Sequence, residues 1–94
     1  MPTAVWNSRV IARSDRVETV EGNAYFPADS VDPQCLRASD RTSVCSWKGT
    51  ANYYTLAVDG RENLNAAWYS RDPMPAAANI KGMIAFWRGV EVKP

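Results

Sequence analysis

No stretch of this chain sustains a helical period over ten residues, and that feature narrows the fold more than any other. Apolar residues come instead in short runs, punctuated about every six to twelve residues by turn-forming pairs. Asn7-Ser8 separates Val5 from Val10 and Ala12, which predicts an opening hairpin over Ala4 to Arg13. Asp15-Arg16 makes a second turn, Val17 to Glu21 a further strand, and Gly22-Asn23 breaks it, both residues tolerating positive φ. Pro27 to Ser39 has room for only one or two helical turns, with Pro33 suited to a first turn before Cys35 and Leu36. Ser39-Asp40-Arg41 reads as a turn back into the sheet, Thr42 to Trp47 as a strand and Lys48-Gly49 as a loop.

Thr50 to Val58 is the most regular strand. Its alternation sets Asn52, Tyr54, Leu56 and Val58 on one face and Ala51, Tyr53, Thr55 and Ala57 on the other. Asp59-Gly60 is a strong hairpin dipeptide. It leads into a strand over Arg61 to Leu64 and another over Ala66 to Ser70. Pro73 and Pro75 stiffen a loop, Ala76 to Lys81 allows one helical turn, and Met83 to Arg88 reads as a buried strand. At 94 residues there is room for one domain and no second core, so residues 1–94 are expected to form a single, mainly antiparallel β domain.

Eleven Lys and Arg offset ten Asp and Glu, with the signs interspersed, so the basic patch of a nucleic-acid binder is missing. No apolar run is long enough to span a bilayer. The opening Met-Pro-Thr-Ala-Val-Trp lacks the basic start and apolar core of a signal peptide. These features predict a cytoplasmic chain without nucleic-acid or membrane partners, its two cysteines reduced. There is no histidine, which removes Ser-His-Asp and Cys-His catalysis and the histidine pairs of zinc proteases. Cys35 and Cys45 are not in the paired spacing of structural zinc, so no metal and no cofactor is expected.

The chemistry concentrates between Thr42 and Tyr54. Cys45 is the candidate nucleophile, because the ammonium of Lys48, three residues on, would favour its thiolate; the competing role is that of a small buried hydrophobe. Lys48-Gly49 at a loop tip suits an anion, although the spacing of a Walker loop is absent. Trp47, Tyr53, Tyr54, Trp68, Tyr69, Phe86 and Trp87 form a large aromatic set, divided between core and any pocket lining. Glu21, at a strand end with no local role evident, is the carboxylate to pair with Cys45 as acid or base. Arg61, Lys81 and Arg88 read as solvated or paired with surface carboxylates, Lys81 before Gly82 being the least clear of them.

Four blocks taken in order, Val20 to Pro27, Cys45 to Tyr54, Ala67-Trp68-Tyr69 and Ile80 to Phe86, resemble the domain-of-unknown-function 427 family over nearly the whole chain. The resemblance implies a compact β-tent, Mss4-like fold without zinc. It also implies a shared pocket around the family's Cys, Trp, Lys, Gly and Tyr motif, here Cys45, Trp47, Lys48, Gly49 and Tyr53. The family is also called a nucleotidyltransferase domain. That chemistry calls for clustered carboxylates holding Mg²⁺, and no Asp-x-Asp pair follows a Gly-Ser loop here. The expected function is binding of a small anionic or planar metabolite. Trp47, Lys48, Gly49, Tyr53, Trp68, Tyr69 and Lys81 are its expected contacts, and Cys45 and Glu21 its polar or catalytic pair. The alternatives are an enzyme using Cys45 as nucleophile, a nucleotidyltransferase, and a protein-interaction module; the oligomeric state stays open.

Overall fold

Turn residues decide where the strands end. In the computed structural model, which describes residues 1–45 and 49–94, Asn7 and Ser8 take φ of 51° and 63°. Two successive left-handed residues make the turn whose twist matches that of a hairpin, and here it joins β1 (Thr3–Trp6) to β2 (Arg9–Arg13). Glu21 and Gly22 do the same, at 53° and 80°, between β3 (Glu18–Val20) and β4 (Asn23–Tyr25). The break thus falls one residue before the expected Gly22-Asn23 pair, and Glu21 has a turn to serve. Short 3₁₀ turns follow at Ala28–Ser30 and Pro33–Cys35. The second is capped by Asp32, whose carboxylate accepts from the Gln34 amide at 2.9 Å.

Three ten-residue strands come next: β5 (Leu36–Cys45), β6 (Gly49–Val58) and β7 (Arg61–Ser70). Asp59 and Gly60 turn β6 into β7 at φ of 50° and 77°. A 3₁₀ segment (Pro75–Ile80), β8 (Ile84–Phe86) and β9 (Glu91–Lys93) complete the chain. The long strands and β8 form an antiparallel sheet ordered β5-β6-β7-β8; β2-β1-β9 and β3-β4 make two smaller ones. The expected mainly β, antiparallel class is what the chain adopts. None of the helices formed by the described residues is long and apolar enough to cross a membrane.

Two expected breaks are absorbed into the sheet as irregularities. Ser39-Asp40-Arg41 is not a turn: β5 runs through it, and its pairing with β6 slips between Ala38 and Thr42. Ser39 Oγ accepts from the Arg41 amide and donates to Asn65 Oδ1, which supplies polar partners where the ladder is interrupted. Arg61–Leu64 and Ala66–Ser70 are likewise one strand, with Asn65 at φ 55° inside it. Asparagine tolerates that left-handed state, and the Asn65 amide donates to Thr55 Oγ1 at 3.2 Å.

The long sheet buries its two faces unequally. One face packs Leu56, Ala67, Ile84 and Phe86 against Ala4, Ile11 and Ala12 of the small sheet and against Phe26, Val31 and Cys35. Phe26 and Phe86 meet edge to face at 5.7 Å. The opposite face carries a smaller cluster, Tyr25, Ala77, Ile80 and Ala85, with Val20, Trp68 and Met83 packed against it. The β3-β4 hairpin and the Pro75–Ile80 segment therefore cover only part of this second face. Beyond their reach its aromatic side chains meet solvent.

Candidate functional site

Strand register assigns the side chains to faces. Tyr53 lies opposite Trp68, and Trp68 opposite Ala85, so all three share the partly covered face. Their neighbours Tyr54, Ala67 and Phe86 turn to the main core. On β5, Ser43 lies opposite Ala51, and its Oγ is 3.0 Å from the Tyr53 hydroxyl. Alternation then places Cys45, two residues on and paired with Gly49, on the same face as Ser43 and Tyr53. Cys45 is half-buried there.

Trp87 joins them because of the irregularity in β7. The Asn65 carbonyl accepts from the Trp87 indole Nε1 at 2.6 Å, and the Trp87 amide donates to the Ala66 carbonyl at 2.9 Å. The Asn63 side-chain amide donates to the Arg88 carbonyl at 2.8 Å, which holds the following turn. In that turn Arg88 and Gly89 both take positive φ, 53° and 86°. Trp87 thus stands over the sheet edge, 39 % exposed. Its ring centre lies 5.9 Å from that of Trp68 at 83° and 6.4 Å from that of Tyr53 at 42°. Trp68 is anchored from beneath, its Nε1 donating to the Tyr25 hydroxyl at 3.2 Å with the rings edge to face.

Among the described residues, Tyr53, Trp68 and Trp87 line an open notch of about 150 Å³. Two guanidinium groups lie over its rings without lining the notch itself: Arg41 is 5.2 Å from the centre of the Tyr53 ring and Arg88 4.6 Å from that of Trp87. Arg88 also reaches the Leu64 carbonyl at 3.4 Å. Among the described residues neither arginine forms an ion pair.

The other candidates named from sequence lie elsewhere. Tyr69 is on the opposite face, stacked on Tyr54 with ring centres 5.0 Å apart. Burial there, followed by the neighbouring Tyr69 phenol, pushes the Tyr54 hydroxyl pKa above its ordinary value. Lys81 lines a separate, larger hollow of about 610 Å³ with Arg16, Glu18 and Asn79. Glu21 sits exposed at the tip of the β3-β4 hairpin. Gly49 pairs with Cys45 at φ 86°, and a Cβ there would come within 3.1 Å of the Asp72 carbonyl oxygen. Trp47 and Lys48 lie outside the described residues.

Arg41, Arg88 and Ser43 are residues near this notch that the strand reading did not name as contacts, and Trp87 entered only as one of the aromatic set. Asn63 and Asn65 were the available signal, because asparagine is depleted in strand interiors and marks an irregular one. Cys35, the second thiol, is fully buried in the main core. Loss of solvent, and after it the nearby Asp32 carboxylate, raises its pKa, which keeps it protonated and inert. No group of three or more carboxylates and thiols among the described residues is placed to hold a metal ion.

No curated protein matches this sequence. A family does: the match runs over residues 3–93, almost the full chain and every strand described above. By that match the protein belongs to the family known as the domain of unknown function DUF427.

Proposed function

We propose that the protein binds a small planar or anionic metabolite on the partly covered face of its long sheet, at the notch between Tyr53, Trp68 and Trp87. The observation that carries this reading is the convergence of three differently angled rings and two flanking guanidinium groups on one hollow. Trp87 is left 39 % exposed beside a second indole, which offers apolar surface to a ligand. Two hydrogen bonds to the sheet hold Trp87 in that position. The rings supply stacking surface and the arginines supply charge, the division of labour common in small-molecule sites. Cys45 lies on the same face but pairs with Gly49, four residues along β6 from Tyr53, and is no wall of the notch.

A thermal-shift screen of organic acids, nucleotides and sugars tests the proposal. A binding metabolite raises the melting temperature of the wild type, since a ligand held only by the native state stabilises it by mass action. The shift should vanish in Trp87→Ala, which removes one wall of the notch but no residue of the main core. A library without a single Trp87-dependent hit would overturn the reading.

A further inference from the structure

Resting on that reading of the site, we infer that its ligand is a monocyclic aromatic or heteroaromatic carboxylate. Size comes first. An apolar cavity of about 150 Å³ accepts a benzene-sized ring, and the notch has that volume. A single six-membered ring matches that volume, whereas a fused purine would extend past the three walls into solvent.

Shape narrows the choice. Tyr53 and Trp87 diverge at 42° with centres 6.4 Å apart, and Trp68 closes the wedge at 83° to Trp87. A flat ring resting in the notch can meet one wall face-on and another edge-on, at the 4.5–7 Å centre spacings that aromatic pairs favour. A tetrahedral ammonium head touches the same walls over far less area.

Charge then separates the two classes of ligand that aromatic walls can hold. Aromatic cages usually take quaternary ammonium ions, drawn to the negative ring faces. Here the Arg41 and Arg88 guanidiniums already lie 5.2 and 4.6 Å from the centres of two of the three rings. A second cation would meet like charge, while a carboxylate on the rim meets two groups shaped to receive it in forked hydrogen bonds.

The test is titration of the ¹⁵N-labelled protein with benzoate, benzamide, adenosine monophosphate and choline, following the indole N–H signals of Trp68 and Trp87. Trp68→Phe and Trp87→Phe assign those signals. Benzoate should shift both indoles and bind about tenfold or more tightly than benzamide, the loss of a charge-assisted contact setting that ratio. Arg88→Gln and Arg41→Gln should each weaken benzoate more than benzamide and so shrink the ratio. Equal binding of benzoate and benzamide, or tighter binding of choline or the nucleotide at the same indoles, would overturn the carboxylate class and leave the site standing. Indoles that respond to none of the four probes, while a screening hit of another kind still depends on Trp87, would do the same. If nothing ever moves them, both proposals fall.

Discussion

Cys35 has no exposed surface, whereas Cys45 is half-exposed on the sheet face that carries Tyr53. The first is packed among Ile11, Val31 and Leu56 of the core, and burial holds its proton on. A thiol reagent at neutral pH should therefore titrate one group in the native protein and two in denaturant, with Cys45→Ser abolishing the native reaction. Two fast native thiols would show that the core around Cys35 opens readily. The local sequence does not encode that difference in burial: Cys35 lies between Gln34 and Leu36, and Cys45 between Val44 and Ser46. Burial is a property of what packs above a residue, and nothing in the local pattern of either cysteine encodes it. Tyr53 and Tyr54 are the opposite case: strand alternation alone sends them to different faces, as the structure shows.

Among the elements, the hairpins are the best-determined feature. Asn7-Ser8 and Asp59-Gly60 turn where turn chemistry places them, because two left-handed residues in a row leave the chain little choice. Gly49 and Gly60 both have positive φ, yet their surroundings differ. A Cβ at Gly60 meets nothing, while one at Gly49 presses on the Asp72 backbone at 3.1 Å. Gly60→Ala should cost about 1–2 kcal/mol of left-handed strain. Gly49→Ala should cost that and more, since backbone rather than a mobile side chain must yield. Urea unfolding of the two variants provides the comparison, and equal midpoints would show that the Asp72 loop moves aside freely. The irregularities in β5 and β7 were misread as strand breaks for an understandable reason. The polar run Ser39-Asp40-Arg41 looks like a turn and Asn65 like a break between strands, and only the pairing with β6 shows both to be continuous strand.

In the whole molecule, Asp32 stitches the small sheet to the long one. Its carboxylate pairs with Arg9 of β2 at 2.6 Å and caps the 3₁₀ turn leading into β5, while its amide donates to the Ile11 carbonyl. The Gln34 amide, and then the Arg9 guanidinium, outweigh partial desolvation and hold the Asp32 carboxyl below its ordinary 3.8. A carboxylate whose folded pKa is depressed stabilises the fold fully above the unfolded value, and that contribution disappears as pH falls through the folded value. Melting temperature should accordingly decline below about pH 4 in the wild type. Asp32→Asn should be less stable near neutrality and show a shallower acid decline. Parallel profiles for the two proteins would mean that other carboxylates govern acid unfolding.

Composition and turn spacing were enough to require an antiparallel β domain, its hairpins and the two-sided character of Thr50 to Val58. These are short-range consequences of steric preference and of the two-residue period of a strand. Which face would stay open to solvent was settled elsewhere. The β3-β4 hairpin and the Pro75–Ile80 segment cover one end of the sheet and leave Tyr53 and Trp87 beyond their edge. Trp87 and Arg88 join Tyr53 and Arg41 across more than thirty residues of chain through the displaced carbonyl of Asn65. Contacts of that kind arise when separate strands find their register, so they belong to the assembled fold and to no single stretch of it.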